Sequence, residues 1–170
     1  MDLFILRHGE AGKRLSSETS DSARPLTVTG KRDVTDIAKS LKDFGVKLNL
    51  IITSPLKRAH QTASLVAVTF STKNKIEDWA ELKPEGNRRE LYHKLSQQFK
   101  QDLSILIVGH EPYLSTLISE VTSVTDDASS RIILKKAGLA KMRITSHSAQ
   151  IIHGELEWLL TPKLMKNISK

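Results

Sequence analysis

The stretch Leu3-Phe4-Ile5-Leu6-Arg7-His8-Gly9-Glu10 decides the fold prediction. Its four apolar residues are typical of a strand that is buried on both faces of an α/β sheet. Ligands of open α/β sheets bind just beyond the carboxyl ends of strands, so we expect Arg7 and His8 to lie in a site. Arginine offers a planar fork of donors, and histidine a nitrogen that can attack or carry a proton, which together suit an anion. The tripeptide alone is equally compatible with a solvated strand end.

A second stretch, LSILIVGH at 103–110, repeats this design. Four apolar residues again precede a glycine and a histidine, here Gly109 and His110. Two strand ends with a histidine in one small domain favour a shared site over coincidence.

Five segments of the chain resemble the histidine phosphatase superfamily, whose members begin with a strand that ends in Arg-His-Gly. Within it, the resemblance is to the small SixA-type phosphohistidine phosphatases. The matching segments run in the family's order and are FILRHGEA (4–11), RPLTVTG (24–30), ITSPLKRAHQTA (52–63), ELKPEG (81–86) and IVGHEP (107–112). Residues 113–170 resemble the family more loosely.

Strands alternate with helices along the chain, which predicts an α/β fold with helices on both faces of a mostly parallel sheet. Late strands without an intervening helix predict an added antiparallel strand. The resemblance implies the same three-layer α/β/α sandwich, the phosphoglycerate mutase-like fold. We expect a single domain over 1–160 and a basic, loosely held tail over 161–170.

The predicted elements follow apolar periodicity and helix-start signals. We expect Ser54 to cap a helix whose first residue is Pro55. The predicted helices cover about 30–44, 55 onward, 88–100 and 111 onward, and the predicted strands about 48–53, 75–79, 103–108, 138–145 and 155–160.

The composition is that of one ordinary globular domain. The chain has 170 residues, 39% hydrophobic and 26% charged, and no cysteine, which excludes disulfides and thiolate chemistry. No run approaches the ~18 apolar residues that a membrane span needs. The chain enters a strand directly after Met1-Asp2, so no signal peptide is predicted. We expect a monomeric, cytoplasmic protein.

The net charge of +7 is spread over both halves of the chain. Such a charge favours encounter with acidic partners or phosphorylated substrates, although a solvated lysine-rich surface is the commoner case. Nucleic-acid binding calls for a concentrated basic stripe with aromatic residues, and aromatics are only 5% here. We therefore expect no nucleic-acid partner.

The resemblance implies roles for four residues. His8 is the nucleophile that forms a covalent phosphohistidine intermediate, and Arg7, Arg58 and His110 bind the phosphoryl oxygens. The sequence supports Arg58 independently, because the first turn of a helix presents unpaired N–H groups and a positive dipole end to an anion.

The general acid is not fixed by the sequence. Glu81 and Glu85 are the candidates, and Glu111 directly follows His110, where a carboxylate would disfavour an anion. Each of the three is also compatible with a surface carboxylate. Arg24 either faces the pocket or forms a structural ion pair with Asp21.

No metal and no cofactor are predicted. His8 and His110 lack the spacing of zinc motifs, and two nearby arginines would repel a dication. The predicted activity is hydrolysis of phosphohistidine on a protein, such as a histidine-phosphotransfer domain, in a manner that damps a phosphorelay. The alternatives are a phosphomonoesterase acting on small metabolites and a non-catalytic phosphate-binding module.

Overall fold

A six-stranded sheet forms the centre of the molecule. The computed structural model describes residues 1–13, 17, 21–71, 76–98, 103–123 and 132–168. The strands are ordered β3-β2-β4-β1-β5-β6 across the sheet. They comprise β1 (Asp2–Arg7), β2 (Leu50–Thr53), β3 (Ile76–Asp78), β4 (Ser104–Gly109), β5 (Leu139–His147) and β6 (Ile152–Leu160).

Four neighbouring strands, β3, β2, β4 and β1, are parallel. Strand β5 runs antiparallel to both β1 and β6. This arrangement confirms the predicted α/β fold with its mostly parallel sheet and late antiparallel strand.

Helices cover both faces of the sheet. They are α1 (Val28–Asp43), α2 (Lys57–Phe70), α3 (Arg88–Gln98), α4 (Tyr113–Thr122) and α5 (Pro162–Ile168), with a short 3₁₀ turn at Ala80–Leu82. Successive residues of a strand point to opposite faces. Accordingly Phe4 and Leu6 pack with α1, α2 and α5, whereas Leu3 and Ile5 pack with α3 and α4. Strand β1 is therefore buried on both sides, as its apolar run predicts.

Two predicted helix starts differ from the structure. Helix α1 begins at Val28, because the Thr27 hydroxyl caps it by accepting from the Gly30 N–H at 3.0 Å. Helix α2 begins at Lys57 with Leu56 at the capping position, so the prediction that Ser54 caps it is wrong. The Ser54 hydroxyl instead contacts a histidine, as described below.

The prediction of a loosely held tail is wrong over Pro162–Ile168. These residues form α5, and Met165 is fully buried in the core formed with α1 and α2. A single apolar residue in a basic segment gives too weak a periodicity to reveal this contact. The end of the predicted helix at 99–100 and most of the predicted polar loop, 124–130, lie outside the described residues.

Candidate active site

The carboxyl ends of β1, β2 and β4 meet at one edge of the sheet. Arg7 pairs in register with Gly109, so the residues that follow them, His8 and His110, emerge side by side. Their ring centroids are 5.0 Å apart. Arg58, in the first turn of α2, joins them at a cavity of about 810 Å³. The structure thus brings together all four residues to which the resemblance assigns catalytic roles.

His8 is held in one tautomer by its neighbour in the chain. Its Nδ1 lies 2.7 Å from the carbonyl oxygen of Gly9. A carbonyl only accepts hydrogen bonds, so Nδ1 carries the proton and Nε2 has the free lone pair. Burial lowers the pKa of His8 to about 4, and the charges of Arg58 and Arg7 act in the same direction, against the hydrogen bond to Gly9. The ring is therefore neutral at pH 7, with a lone pair available on Nε2.

Gly9 permits the close packing that fixes His8. A Cβ at this position would lie 2.8 Å from the Gly30 carbonyl oxygen and 2.8 Å from Cγ2 of Val34. The Gly9 N–H donates to the hydroxyl of Thr62 at 3.2 Å, and that hydroxyl donates to the Arg58 carbonyl at 2.8 Å. Thr62 thus links the nucleophile's loop to α2. It was not predicted as a site residue, although it lies one turn after Arg58 in the quoted 52–63 segment.

Arg7 has donors available to an anion. Its Nη1 donates to the Leu134 carbonyl at 2.9 Å. Its Nε is buried and has no hydrogen-bond partner within the described residues. Burial lowers the pKa of Arg7, opposed by the charge of Glu111. A buried cation with an unpaired donor is suited to binding a phosphoryl oxygen.

Arg58 and Arg24 share one carboxylate. Nη1 of Arg58 donates to the Asp21 carbonyl at 2.9 Å and lies 3.3 Å from its Oδ2. Nε of Arg24 donates to Oδ1 of the same residue at 3.0 Å. Arg24 also lines the cavity, so both of its predicted alternatives, a pocket residue and an ion pair with Asp21, hold together.

His110 is the second buried imidazole of the cavity. Its Nε2 lies 2.9 Å from the hydroxyl of Ser54, and its Nδ1 has no partner among the described residues. The pKa of His110 is lowered to about 2, mainly by burial and to a smaller extent by the nearby His8 and Arg58. This ring is also neutral at pH 7.

The candidate acids occupy different places. Glu85 and Glu111 line the cavity, and Glu81 does not. Glu81 forms an ion pair with Lys94. Burial acts to raise the pKa of Glu81, but the hydrogen bonds from Lys94 and the backbone outweigh it, so the pKa is lowered. A carboxyl that holds its proton so weakly, away from the cavity, is a poor general acid.

Glu111 has a structural task beside His110. Its Oε1 accepts the backbone N–H of Ser115 at 3.1 Å, and its Oε2 accepts the Ser115 hydroxyl at 2.6 Å. These bonds satisfy donors in the first turn of α4. Glu111 thus serves the start of this helix, and its charge acts to raise the pKa of the buried Arg7.

Three lysines line the cavity mouth, Lys57, Lys83 and Lys136. Lys57 and Lys136 are exposed, and Lys136 lies 3.4 Å from Glu10. Lys57 and Lys83 form no ion pair with the described carboxylates. We call these three residues the lysine rim. The rim extends the positive field of Arg7 and Arg58 toward solvent.

The described part of the chain contains neither a candidate metal cluster nor a candidate membrane-spanning helix. No three histidine, aspartate or glutamate side chains there are grouped so that they could hold a metal ion. None of the described helices is long and apolar enough to cross a membrane.

The cavity brings together two arginines, two neutral imidazoles and a helix start, which are groups suited to a phosphoryl group. Phosphoryl transfer needs a nucleophile in line with the leaving group and cations around the equatorial oxygens. His8 offers a neutral ring nitrogen with a free lone pair, and Arg7 and Arg58 place positive charge at the same cavity. This geometry supports transfer through a covalent enzyme intermediate.

Comparisons with known proteins agree with this geometry. The family model of the histidine phosphatase superfamily (branch 1) matches residues 3–102. An uncharacterized protein of Picosynechococcus is 30% identical over 96% of this chain and 98% of its own. Phosphohistidine phosphatase SixA of Escherichia coli is 31% identical over 71% of this chain and 74% of its own. The structure of protein histidine phosphatase SixA complexed with tungstate superposes with a TM-score of 0.80 and 27% identity, covering 96% of this chain and 98% of that one. With its fold, its paired histidines and this match, the chain belongs to the histidine phosphatase superfamily and is a phosphatase.

Proposed function

We propose that this phosphatase hydrolyses phosphohistidine on a protein and thereby damps a phosphorelay, acting as a cytoplasmic monomer. The observation that carries the proposal is the state of His8. Its Nδ1 is bound to the Gly9 carbonyl, its ring is neutral, and it lies beside Arg7 and Arg58. A non-catalytic phosphate-binding module has no need for such a nucleophile.

The reaction has two steps. In the first, the lone pair of His8 Nε2 attacks phosphorus, a new N–P bond forms, and the N–P bond to the substrate imidazole breaks. The leaving imidazole takes the electron pair of that bond and is neutral if it carried a proton beforehand. In the second step water attacks phosphorus, the bond to His8 breaks, and inorganic phosphate leaves. Arg7 and Arg58 stabilise the charge on the equatorial oxygens throughout.

The cavity mouth supports a protein substrate. The lysine rim contains two exposed lysines and offers charge to an acidic surface around the phosphorylated residue. The Escherichia coli relative is a phosphohistidine phosphatase, which points to the same class of substrate.

The test compares kcat/KM on a phosphorylated histidine-phosphotransfer domain with kcat/KM on phosphoserine, sugar phosphates and p-nitrophenyl phosphate. We expect the phosphorylated domain to be preferred. A tenfold preference for any small phosphomonoester would replace the proposal with the metabolite phosphomonoesterase. A burst of product equal to the enzyme concentration would separate either enzyme from a binding module.

A further inference from the structure

The imidazole of His110, which lines the cavity, forms a buried pair with the hydroxyl of Ser54, which lies behind it. Nε2 and Oγ are 2.9 Å apart, Ser54 is fully buried, and His110 is 2% exposed. Thr53 of β2 lies opposite Val108 of β4, so the chain places Ser54 beside His110 directly after the two strands. The Ser54 N–H donates to the Val108 carbonyl at 3.0 Å, which fixes the serine.

The protons available to Ser54 and His110 determine which of them donates the hydrogen bond. The Leu56 N–H donates to the Ser54 hydroxyl at 3.3 Å, so the oxygen already accepts one hydrogen bond. The hydroxyl has one proton to donate, and within the described residues His110 Nε2 is its one available acceptor. If Nε2 carried the ring proton instead, the hydroxyl proton would be buried without a partner, which native structures avoid.

The other ring nitrogen lacks a partner among the described residues in either tautomer, so the Ser54 hydroxyl decides the direction. Nδ1 is buried and has no partner among the described residues. Ser54 occupies the Nε2 side of the ring, and the ring lines the cavity with His8, Arg7 and Arg58. An N–H at Nδ1 would add a donor to a phosphoryl group, whereas a lone pair there would repel the phosphoryl oxygens.

We propose that Ser54 is a positioning residue that holds neutral His110 as its Nδ1–H tautomer, so that His110 donates a hydrogen bond to the phosphoryl group. The tautomer follows from the protein alone, and only its use on a phosphoryl group rests on the proposed function. Because burial keeps His110 uncharged, its tautomer, and not its charge, determines whether it can donate.

The tautomer is directly measurable. Long-range ¹H–¹⁵N NMR spectra of the ligand-free protein, labelled at histidine nitrogens, report which nitrogen carries the proton, and His110→Asn assigns the signals. We expect Nδ1 to be protonated in the wild-type protein. A proton on Nε2 overturns the proposal whatever the substrate proves to be.

Two variants separate positioning from packing. Ser54→Ala removes the donor, whereas Thr53→Val removes a neighbouring buried hydroxyl that donates to the Ser54 carbonyl and does not touch His110. We expect the His110 tautomers to mix in Ser54→Ala and to stay unchanged in Thr53→Val. If Ser54→Ala fails to fold, the wild-type spectrum still decides, and Ser54→Cys serves as the variant with a weaker donor.

The consequence for phosphate binding is tested with inorganic phosphate as a competitive inhibitor of p-nitrophenyl phosphate hydrolysis. We expect Ser54→Ala to raise the inhibition constant about tenfold, less than the ~10²–10³-fold rate cost of deleting a donor outright, because the ring remains. Unchanged inhibition in a variant whose tautomers have mixed overturns the donor role. A failure of the phosphohistidine substrate test alone leaves this inference standing.

Discussion

Arg58 contacts both the main chain and the side chain of Asp21. Its Nη1 donates to the Asp21 carbonyl at 2.9 Å and lies 3.3 Å from Oδ2, while Arg24 holds Oδ1 at 3.0 Å. The carbonyl orients Arg58, and the carboxylate places a negative charge where two arginines face the cavity. A phosphoryl group bound in this cavity would therefore share these arginines with an anion of the protein itself.

Asp21→Asn is expected to tighten phosphate binding. The amide keeps an oxygen acceptor and the main-chain carbonyl is untouched, but the competing charge is lost. Two charges 4 Å apart in water interact by about 1 kcal/mol, so inhibition by inorganic phosphate should strengthen about fivefold. The measurement is the inhibition constant at low ionic strength, and the gain should shrink at 0.5 M salt.

The matched control is Glu155→Gln, which neutralises an exposed carboxylate on β6. It should leave the inhibition constant within twofold. Weaker phosphate inhibition in Asp21→Asn would show that the carboxylate serves mainly to position the two arginines.

His8→Ala is expected to abolish turnover and retain anion binding, since Arg7, Arg58 and His110 remain in the cavity. Activity and inorganic phosphate binding by calorimetry are measured on the same preparation. The control is His60→Ala, which removes a half-exposed histidine of α2 that pairs with Asp78 at 2.9 Å. Turnover above a trace in His8→Ala would rule out the covalent route.

The low pKa of His8 predicts a dependence of stability on pH. Its pKa is about 4 in the folded protein and about 6.5 in the unfolded chain, so the unfolded chain binds the extra proton between these values. Stability from this group is therefore complete above about pH 6.5 and is lost as the pH falls toward 4. The loss approaches about 1.4 kcal/mol per pH unit.

Urea unfolding at pH 6.5, 6.0, 5.5 and 5.0 tests this slope. His8→Asn lacks the titrating ring, so its free energy of unfolding should fall less steeply than that of the wild type, by about 1 kcal/mol per pH unit. Parallel curves for the two proteins would contradict the lowered pKa. Folded His110 stays uncharged between pH 5.0 and 6.5, because burial is the main cause of its pKa of about 2, so its contribution to the slope is the same in both proteins.

The sequence predicts the parts of this site that depend on strand ends. Arg7, His8 and His110 follow apolar runs, and parallel strands place their carboxyl ends together, so the convergence is a consequence of topology. The fold class follows from the same alternation of strands and helices. The order of the matching motifs adds Arg58 to the predicted site. Its position in the first turn of a helix would not by itself show which residues it lies beside.

Contacts between residues that are far apart in the sequence cannot be predicted from strand ends and motif order. Thr62 and Ser54 are polar residues in a helix and at a strand end, and only the tertiary structure shows which site residue each one holds. From the sequence, the Glu111 carboxylate is expected to disfavour an anion, and only the structure shows that it accepts two hydrogen bonds from Ser115. Met165 likewise becomes a core residue only once α5 packs on α1.

The effect of Glu85→Gln on kcat is expected to depend on the leaving group of the substrate. Glu85 lines the cavity, so it is the better placed of the two predicted acids. Phosphoserine needs a proton on its alkoxide, so its kcat should fall about 10²-fold, the low end of the range for losing a general acid. p-Nitrophenyl phosphate and phosphohistidine have good leaving groups and should lose less than threefold.

Glu81→Gln is the paired control, since Glu81 is turned to Lys94 outside the cavity. It should leave the ratio between phosphoserine and p-nitrophenyl phosphate unchanged. Equal losses on all substrates in Glu85→Gln would indicate a role in binding and exclude the acid.

Reversing charge at the lysine rim is expected to separate protein substrates from small ones. Lys57 and Lys83 have no ion pair with described carboxylates, so the double variant Lys57→Glu, Lys83→Glu breaks none. Charge at the edge of an interface acts mainly on association rate. We expect kcat/KM on a phosphorylated histidine-phosphotransfer domain with an acidic surface to fall at least tenfold at low salt. On p-nitrophenyl phosphate, kcat should stay within about threefold, because Arg7, His8 and Arg58 are unchanged.

The control reverses Lys39 and Lys47, two lysines that do not line the cavity, and matches the change in net charge. If this control lowers kcat/KM on the protein as much as the rim variant does, the effect belongs to the overall charge of +7 and not to the lysine rim. If neither variant lowers it, the lysine rim takes no part in recognising the substrate.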